Sequence, residues 1–200
     1  MDIIKIMKIL ISGDSFAANW TVKYPDQKGW PNLLEDKFDI KNVAQAGCSE
    51  YKIYKQLENE KLENYDHIII CHTSPFRIPT INHPIHFNDI LHKNCDLLYS
   101  DIKENLDKNP ELISICDFFE KYFDFESAIF SHRLICKEIE LITASYNTIH
   151  VTNIDWKDFY QFKNMLNFYE LFQTNRGFTN HYDDTGNDIV YRTILKRLIT

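Results

Sequence analysis

Glycine is scarce in this sequence, with five residues among 200 where average usage of about 7% would give roughly fourteen. A chain that uses so little glycine is expected to keep each one where the backbone needs a positive φ or close approach of another group. The scarcity excludes collagen-like, linker-like and low-complexity proteins. Among the five, Gly13, Gly47 and Gly186 lie beside residues that are candidates for chemistry.

The chain also has no excess of basic residues, since it contains 22 lysines and arginines and 29 acidic residues, which give a net charge of −7. Such a chain cannot displace counterions from a phosphate backbone, so neither nucleic acid nor an anionic membrane is an expected partner. The apolar run over residues 3–11 contains two lysines and no cleavage site follows it, which argues against a signal peptide. No stretch approaches the roughly 20 apolar residues that span a bilayer. We expect one globular domain over residues 1–200.

Paired cysteines of the CxxC type are absent as well. The five cysteines are odd in number and scattered, so we predict reduced thiols and a cytoplasmic protein. His83, His86 and His92 share one loop, but solvent or substrate contact is the favoured interpretation over a metal site. Accordingly, the sequence predicts no metal and no cofactor.

Short apolar strands alternate with helical segments along the chain. This alternation predicts an α/β fold, a three-layer α/β/α sandwich with a mostly parallel central sheet. Strands are expected at residues 8–12, 40–44, 67–71 and 148–154, and helices at 31–38, 49–60, 101–106, 126–146 and 184–198. Residues 156–172 are predicted to be partly helical. A long loop insertion at about 75–98 carries three prolines after the third strand, where α/β proteins place binding loops.

Three short motifs follow the predicted strand ends in order. Gly13-Asp14-Ser15 ends the first strand, Asn42 to Gly47 follows the second, and His181 precedes Gly186 by five residues. Carboxyl ends of parallel strands share one sheet edge, so we expect these motifs to converge. In order and spacing, the motifs resemble those of the SGNH (GDSL-type) hydrolase superfamily over nearly the whole chain.

The resemblance implies a flavodoxin-like sandwich and a serine ester hydrolase. Ser15 would be the nucleophile and His181 the base, with the amides of Ser15 and Gly47 in the oxyanion hole. The implied substrate is a small-molecule or carbohydrate ester that carries an O-acyl group, for example acetyl. Asp14, His72, Thr73 and Arg77 are further candidates for substrate binding.

Two positions depart from the family pattern. The third motif, usually Gly-x-Asn-Asp, reads His72-Thr73-Ser74-Pro75, so Ser74 stands at the position of the asparagine donor and Thr73 is an alternative hydroxyl. Phe178 stands three residues before His181, where the family has the aspartate of its triad. Either a Ser-His dyad operates, or the chain is a catalytically silent glycan-binding or protein-binding domain. An O-acyltransferase is a third possibility.

Overall fold

The computed structural model describes residues 7–200, with the side chain of Thr179 excepted. Residues 3–6 of the amino-terminal apolar run lie outside this range. The strands are β1 (Lys8–Gly13), β2 (Asp39–Asn42), β3 (His67–His72), β4 (Arg77–Ile78), β5 (Leu97–Leu98), β6 (Thr148–Thr152) and β7 (Met165–Asn167). The helices are α1 (Trp30–Glu35), α2 (Glu50–Glu58), α3 (Tyr99–Glu104), α4 (Ile113–Lys121), α5 (Phe125–Thr143), α6 (Tyr169–Thr174) and α7 (Asp184–Ile199).

Five strands form one parallel sheet in the order β2-β1-β3-β6-β7. The central strands β1 and β3 are rich in isoleucine and buried on both faces, as expected for parallel strands covered by helices. Strand β2 lies at the edge of the sheet and alternates between exposed and half-buried residues. The order and direction of the strands confirm the predicted α/β class with a mostly parallel sheet.

Helices cover both faces of this sheet. Ile9 and Ile11 of β1 pack with residues of α1 and α7 on one face, whereas Leu10 packs with residues of α2 and α5 on the other. This division follows from the two-residue period of a strand, which sends successive side chains to opposite faces. The result is consistent with the predicted three-layer sandwich.

The structure corrects the sequence prediction in three places. Residues 156–172 contribute the edge strand β7 as well as α6, and α4 was not predicted. A three-residue edge strand that reads Met-Leu-Asn has no β-branched residue and no alternation, so its sequence carries no strand signal. The insertion after β3 is largely irregular, but its two ends pair as the antiparallel strands β4 and β5, which pack on a small apolar core with α3 and α4.

None of the helices within residues 7–200 is both long enough and apolar enough to cross a membrane. All five cysteines are free thiols, and all are buried.

Gly13 ends β1 where that strand meets β3. A Cβ atom there would lie 2.6 Å from Cβ and 2.7 Å from the carbonyl oxygen of Cys71, and the φ angle is +154°. The two strands approach too closely for any larger residue. This close contact fixes the backbone position from which the turn with Asp14 and Ser15 begins.

We expect Gly13→Ala to lower the free energy of unfolding by about 2 kcal/mol, because the added methyl group overpacks a buried contact. Gly29→Ala is the matched control, since Gly29 has an extended backbone with φ of −84° and its nearest outside atom would lie 3.3 Å away. Gly29 is also the N-cap of α1, where alanine is poorer than glycine, so the control should lose a smaller amount, about 1 kcal/mol or less. Urea unfolding of the three proteins measures both changes, and equal losses would contradict the close-approach argument.

Candidate active site

The loops after β1 and β2 are tied together at Gly13. Its carbonyl oxygen accepts hydrogen bonds from the Gln45 amide at 3.0 Å and from the Gln56 side chain at 3.2 Å. The Gln56 side-chain oxygen in turn accepts from the Gly13 amide at 2.9 Å. The first two motifs therefore meet at one sheet edge, as the strand order requires.

Ser15 lies at the turn that leaves β1 and is 9% exposed. Its carbonyl oxygen accepts a 2.7 Å hydrogen bond from the Trp20 indole. Within residues 7–200, neither the amide nor the hydroxyl of Ser15 is engaged in a hydrogen bond. The turn is thus held by its carbonyl, and its two donors are left for another molecule.

The imidazole of His181 lies beside this turn. Its ring centroid is 4.8 Å from that of Phe16 and 4.4 Å from that of Trp20. The backbone is fixed by a 2.6 Å hydrogen bond from the Gly177 amide to the His181 carbonyl oxygen. Packing and backbone together place the ring next to the Ser15 segment.

The chain turns into α7 directly after His181. Asp183 caps this helix, because its side chain accepts a 2.7 Å hydrogen bond from the Gly186 amide. The cap sets the distance from His181 to the helix. This local geometry matches the histidine, turn, glycine and helix order that the sequence predicts.

Phe178, three residues before His181, is 46% exposed. Its ring packs edge-on against Tyr24, with centroids 4.9 Å apart. Phe178 and His181 both line a cavity of about 30 Å³ with Phe16, Trp20 and Tyr182. Aromatic side chains therefore form much of the wall of the cavity that His181 lines.

Gly47 has a φ angle of +74° and presses against Cys95, whose Cβ would be 2.6 Å from an added methyl carbon. Its carbonyl oxygen accepts hydrogen bonds from Arg77 Nη1 at 3.1 Å and from the Asp96 amide at 2.9 Å. In the described part of the chain the Gly47 amide itself makes no hydrogen bond. Like the Ser15 amide, it remains a donor with a fixed orientation.

Ser74 follows β3 and accepts a 3.3 Å hydrogen bond from the Phe76 amide through its hydroxyl oxygen. The hydroxyl hydrogen is left to donate. Ser74 also lines a cavity of about 310 Å³, together with Arg77 and a mostly apolar wall of Pro75, Ile78, Pro79, Phe123, Ala128 and Ile135. The third motif thus opens onto a space suited to an apolar group.

Asp14 is buried within the turn that precedes Ser15. Its side-chain oxygen accepts a 3.0 Å hydrogen bond from the Phe16 amide. Burial raises the pKa of this carboxyl to about 6, although the Arg77 charge acts in the opposite direction. The contacts make Asp14 a residue that shapes the turn, with little surface for a substrate.

The structure places His72 in a buried network, away from the surface of the site. Its Nδ1 lies 2.6 Å from Glu50 Oε1 and its Nε2 lies 2.9 Å from His150 Nδ1. Burial disfavours the charged form of Glu50, but the neighbouring imidazoles of His72 and His132 outweigh this and hold the carboxyl pKa well below its usual range. His72 therefore stabilises a buried carboxylate.

Glu50 and His132 also hold the backbone of the third motif. Glu50 Oε2 accepts a 3.0 Å hydrogen bond from the Thr73 amide, and His132 Nε2 donates to the Thr73 carbonyl oxygen at 3.0 Å. The Thr73 hydroxyl is bonded to Arg77 Nε at 3.3 Å. Three hydrogen bonds thus fix Thr73, and the fixed backbone of Thr73 positions the next residue, Ser74.

Glu50 and His132 were not predicted as site residues. Glu50 is the first residue of α2, and Ser49 caps that helix as predicted by accepting from the Lys52 amide. A carboxylate in the first turn of a helix is common at surfaces because it suits the helix dipole. Nothing in the local sequence distinguishes this buried one.

No protein-family model matches the chain, and no curated protein sequence matches it.

The pKa of Asp14 gives a prediction of pH dependence. The unfolded chain releases this proton near pH 3.9 and the folded chain near pH 6, so Asp14 should lower the stability of the folded state as pH rises between those values. Relative to Asp14→Asn, the parent should lose on the order of 2 kcal/mol from pH 4 to pH 7. Urea unfolding at four pH values measures the difference.

Asp26→Asn is the control, because Asp26 lies exposed in a turn. The control should follow the parent at every pH. Parallel curves for the parent and Asp14→Asn would contradict the shifted pKa.

Proposed function

We propose that the chain is a serine ester hydrolase of SGNH type, which removes an O-acyl group from a small-molecule or carbohydrate-like substrate. The observation that carries the proposal is a pair of amides, of Ser15 and Gly47, that make no hydrogen bond within residues 7–200 and lie at the same sheet edge as the His181 imidazole. Fixed donors of this kind stabilise the negative charge that develops on an ester carbonyl oxygen.

The reaction would begin with attack of Ser15 Oγ on the ester carbonyl carbon while His181 takes the hydroxyl proton. The Ser15 and Gly47 amides and the Ser74 hydroxyl would hold the oxyanion. Protonation of the leaving alcohol by His181 would give an acyl-enzyme. Water, activated by the same imidazole, would then attack the acyl carbon and release the acid and Ser15.

This scheme uses a Ser-His dyad, with Phe178 at the position of the family's aspartate. In a serine protease, loss of the aspartate's charge costs about 10⁴-fold in rate, largely because the imidazole takes the wrong tautomer. Packing against Phe16 and Trp20 restricts the ring of His181 in this chain. We therefore expect measurable turnover on activated esters, at a lower rate than a complete triad supports.

The apolar cavity beside Ser74 supports an assignment for the acyl group. Its volume of about 310 Å³ exceeds what an acetyl group fills, and its wall is formed largely by apolar side chains. Ser74 and Arg77 connect this wall to the oxyanion loops, since Arg77 also binds the Gly47 carbonyl. We propose that the acyl chain lies in this cavity.

Ser15→Ala should reduce hydrolysis of p-nitrophenyl acetate and butyrate by about 10³-fold or more, because the nucleophile is lost. His181→Gln should give a comparable loss. Ser145→Ala is the matched control, because Ser145 is exposed in the turn before β6, at the opposite edge of the sheet. Release of p-nitrophenol and labelling by a fluorophosphonate probe are the two measurements.

Equal hydrolysis by the parent and Ser15→Ala would rule out the mechanism. A folded parent that neither turns over nor takes the label would favour the silent binding domain, for which the exposed Phe178 and its neighbour Tyr24 offer an aromatic surface. Product analysis with added sugar acceptors separates acyl transfer from hydrolysis.

Ala128→Phe should narrow the cavity and change the preference for acyl length. We expect hydrolysis of p-nitrophenyl hexanoate to fall by about tenfold or more, whereas the acetate should be hydrolysed at nearly the parent rate, since one filled pocket is worth about 1–3 kcal/mol. Ala144→Phe, on an exposed residue that ends the same helix, is the matched control. Equal losses on both esters would contradict the placement of the acyl chain.

A further inference from the structure

The segment between β4 and β5 has almost no regular structure of its own. Residues 79–96 form turns and bends, and the segment contains three histidines and Cys95. Irregular segments of this length are uncommon in compact domains, and those that are ordered are often functional. Side chains from this segment and from α3 come together on one side of it.

Four ligand-type groups meet at this point. His83 Nε2 and His86 Nε2 lie 3.4 Å and 3.1 Å from the same oxygen, Oδ2 of Asp101. His83, His86 and Cys95 each offer one ligand atom, and these three atoms lie within 4.8 Å of one another. The donor atoms of His83, His86 and Cys95 are thus close enough for one small cation. The Asp101 carboxylate borders the two imidazoles outside that close set, so it has to move towards Cys95 to become a fourth ligand.

The buried groups in this cluster are poorly satisfied by protein alone. His83 is 1% exposed, and within the described residues its Nε2 has no hydrogen-bond partner, since the Asp101 oxygen at 3.4 Å does not lie in hydrogen-bond geometry. Cys95 is 3% exposed, and its thiol makes no hydrogen bond in residues 7–200. A buried polar nitrogen without a partner is costly, and native proteins seldom keep one without a reason.

We propose that His83, His86, Cys95 and Asp101 form a structural site for Zn²⁺. Two imidazoles, one thiolate and one carboxylate make a tetrahedral set of the kind zinc favours, and the two negative ligands balance the charge of the ion. Binding releases the Cys95 thiol proton to solvent, with no change of oxidation state. With four protein ligands the coordination is complete, so the site holds structure and leaves no position for substrate.

Metal binding requires a change at His83. In the structure the Ile85 amide donates to His83 Nδ1 at 3.2 Å, which leaves the imidazole proton on Nε2. Coordination through Nε2 moves that proton to Nδ1, and the Ile85 amide then has to turn away. The amide resonance of Ile85 is therefore expected to shift when the site is loaded.

The site would fix the insertion against the oxyanion loop. Cys95 packs on Gly47, and the following amide, of Asp96, donates to the Gly47 carbonyl. His92, grouped with the other two histidines by sequence, pairs instead with Asp89 at 3.3 Å. The sequence interpretation included neither Cys95 nor Asp101, which belongs to α3.

The test uses the full chain without a histidine tag, loaded with Zn²⁺ or Co²⁺ alone. We expect elemental analysis to find one equivalent of Zn²⁺ per chain. The protein loaded with Co²⁺ should show the visible absorption of a tetrahedral ion and a thiolate charge-transfer band in the near ultraviolet. Cys95→Ser should lose that band, and Asp101→Asn should weaken binding by about tenfold or more. His92→Gln is the matched control and should bind as the parent does.

Failure of the parent to take up one equivalent overturns the proposal without any variant. A charge-transfer band that persists in Cys95→Ser also overturns it, and circular dichroism establishes that each variant is folded. Ser15→Ala should bind the metal as the parent does. Loss of esterase activity and loss of metal binding are therefore separate results.

Discussion

The contact between Gly13 and Cys71 fixes the point from which the candidate site is built. Two buried strands meet there so closely that a methyl group has no space. Because the carbonyl of Gly13 also receives donors from Gln45 and Gln56, the same residue sets the position of the loop that carries Gly47. The Ser15 turn and the Gly47 turn are thus positioned by one backbone unit, which limits their relative motion.

A buried carboxylate provides the second constraint. Glu50 binds the Thr73 amide and two imidazoles in a part of the protein where an unpaired charge would be costly. Removal of one partner would leave the remaining buried groups without an ion pair or a hydrogen bond. The turn that presents Ser74 is therefore held by an electrostatic network, whereas the turn that presents Ser15 is held by close packing.

Much of the fold could be predicted because its signals are local. Strands β1 and β3 are short apolar runs that end in turn residues, and Ser49 marks the start of α2. Glu50 could not be identified in the same way, because burial of a charged side chain depends on what other segments bring to it. Strand β7 is recognisable only through its pairing with β6.

Arg77 shows how the structure alters a role assigned from sequence. It was a candidate for gripping a substrate anion, yet two of its donors are bonded to the Thr73 hydroxyl and the Gly47 carbonyl. Its charge also opposes the effect of burial on the Asp14 carboxyl, beside the turn where an oxyanion would form. A guanidinium has five N–H donors, so the remaining ones can still face the apolar cavity that Arg77 lines. One cation therefore links the loops that follow β1, β2 and β3 and offsets part of the cost of a buried carboxyl group.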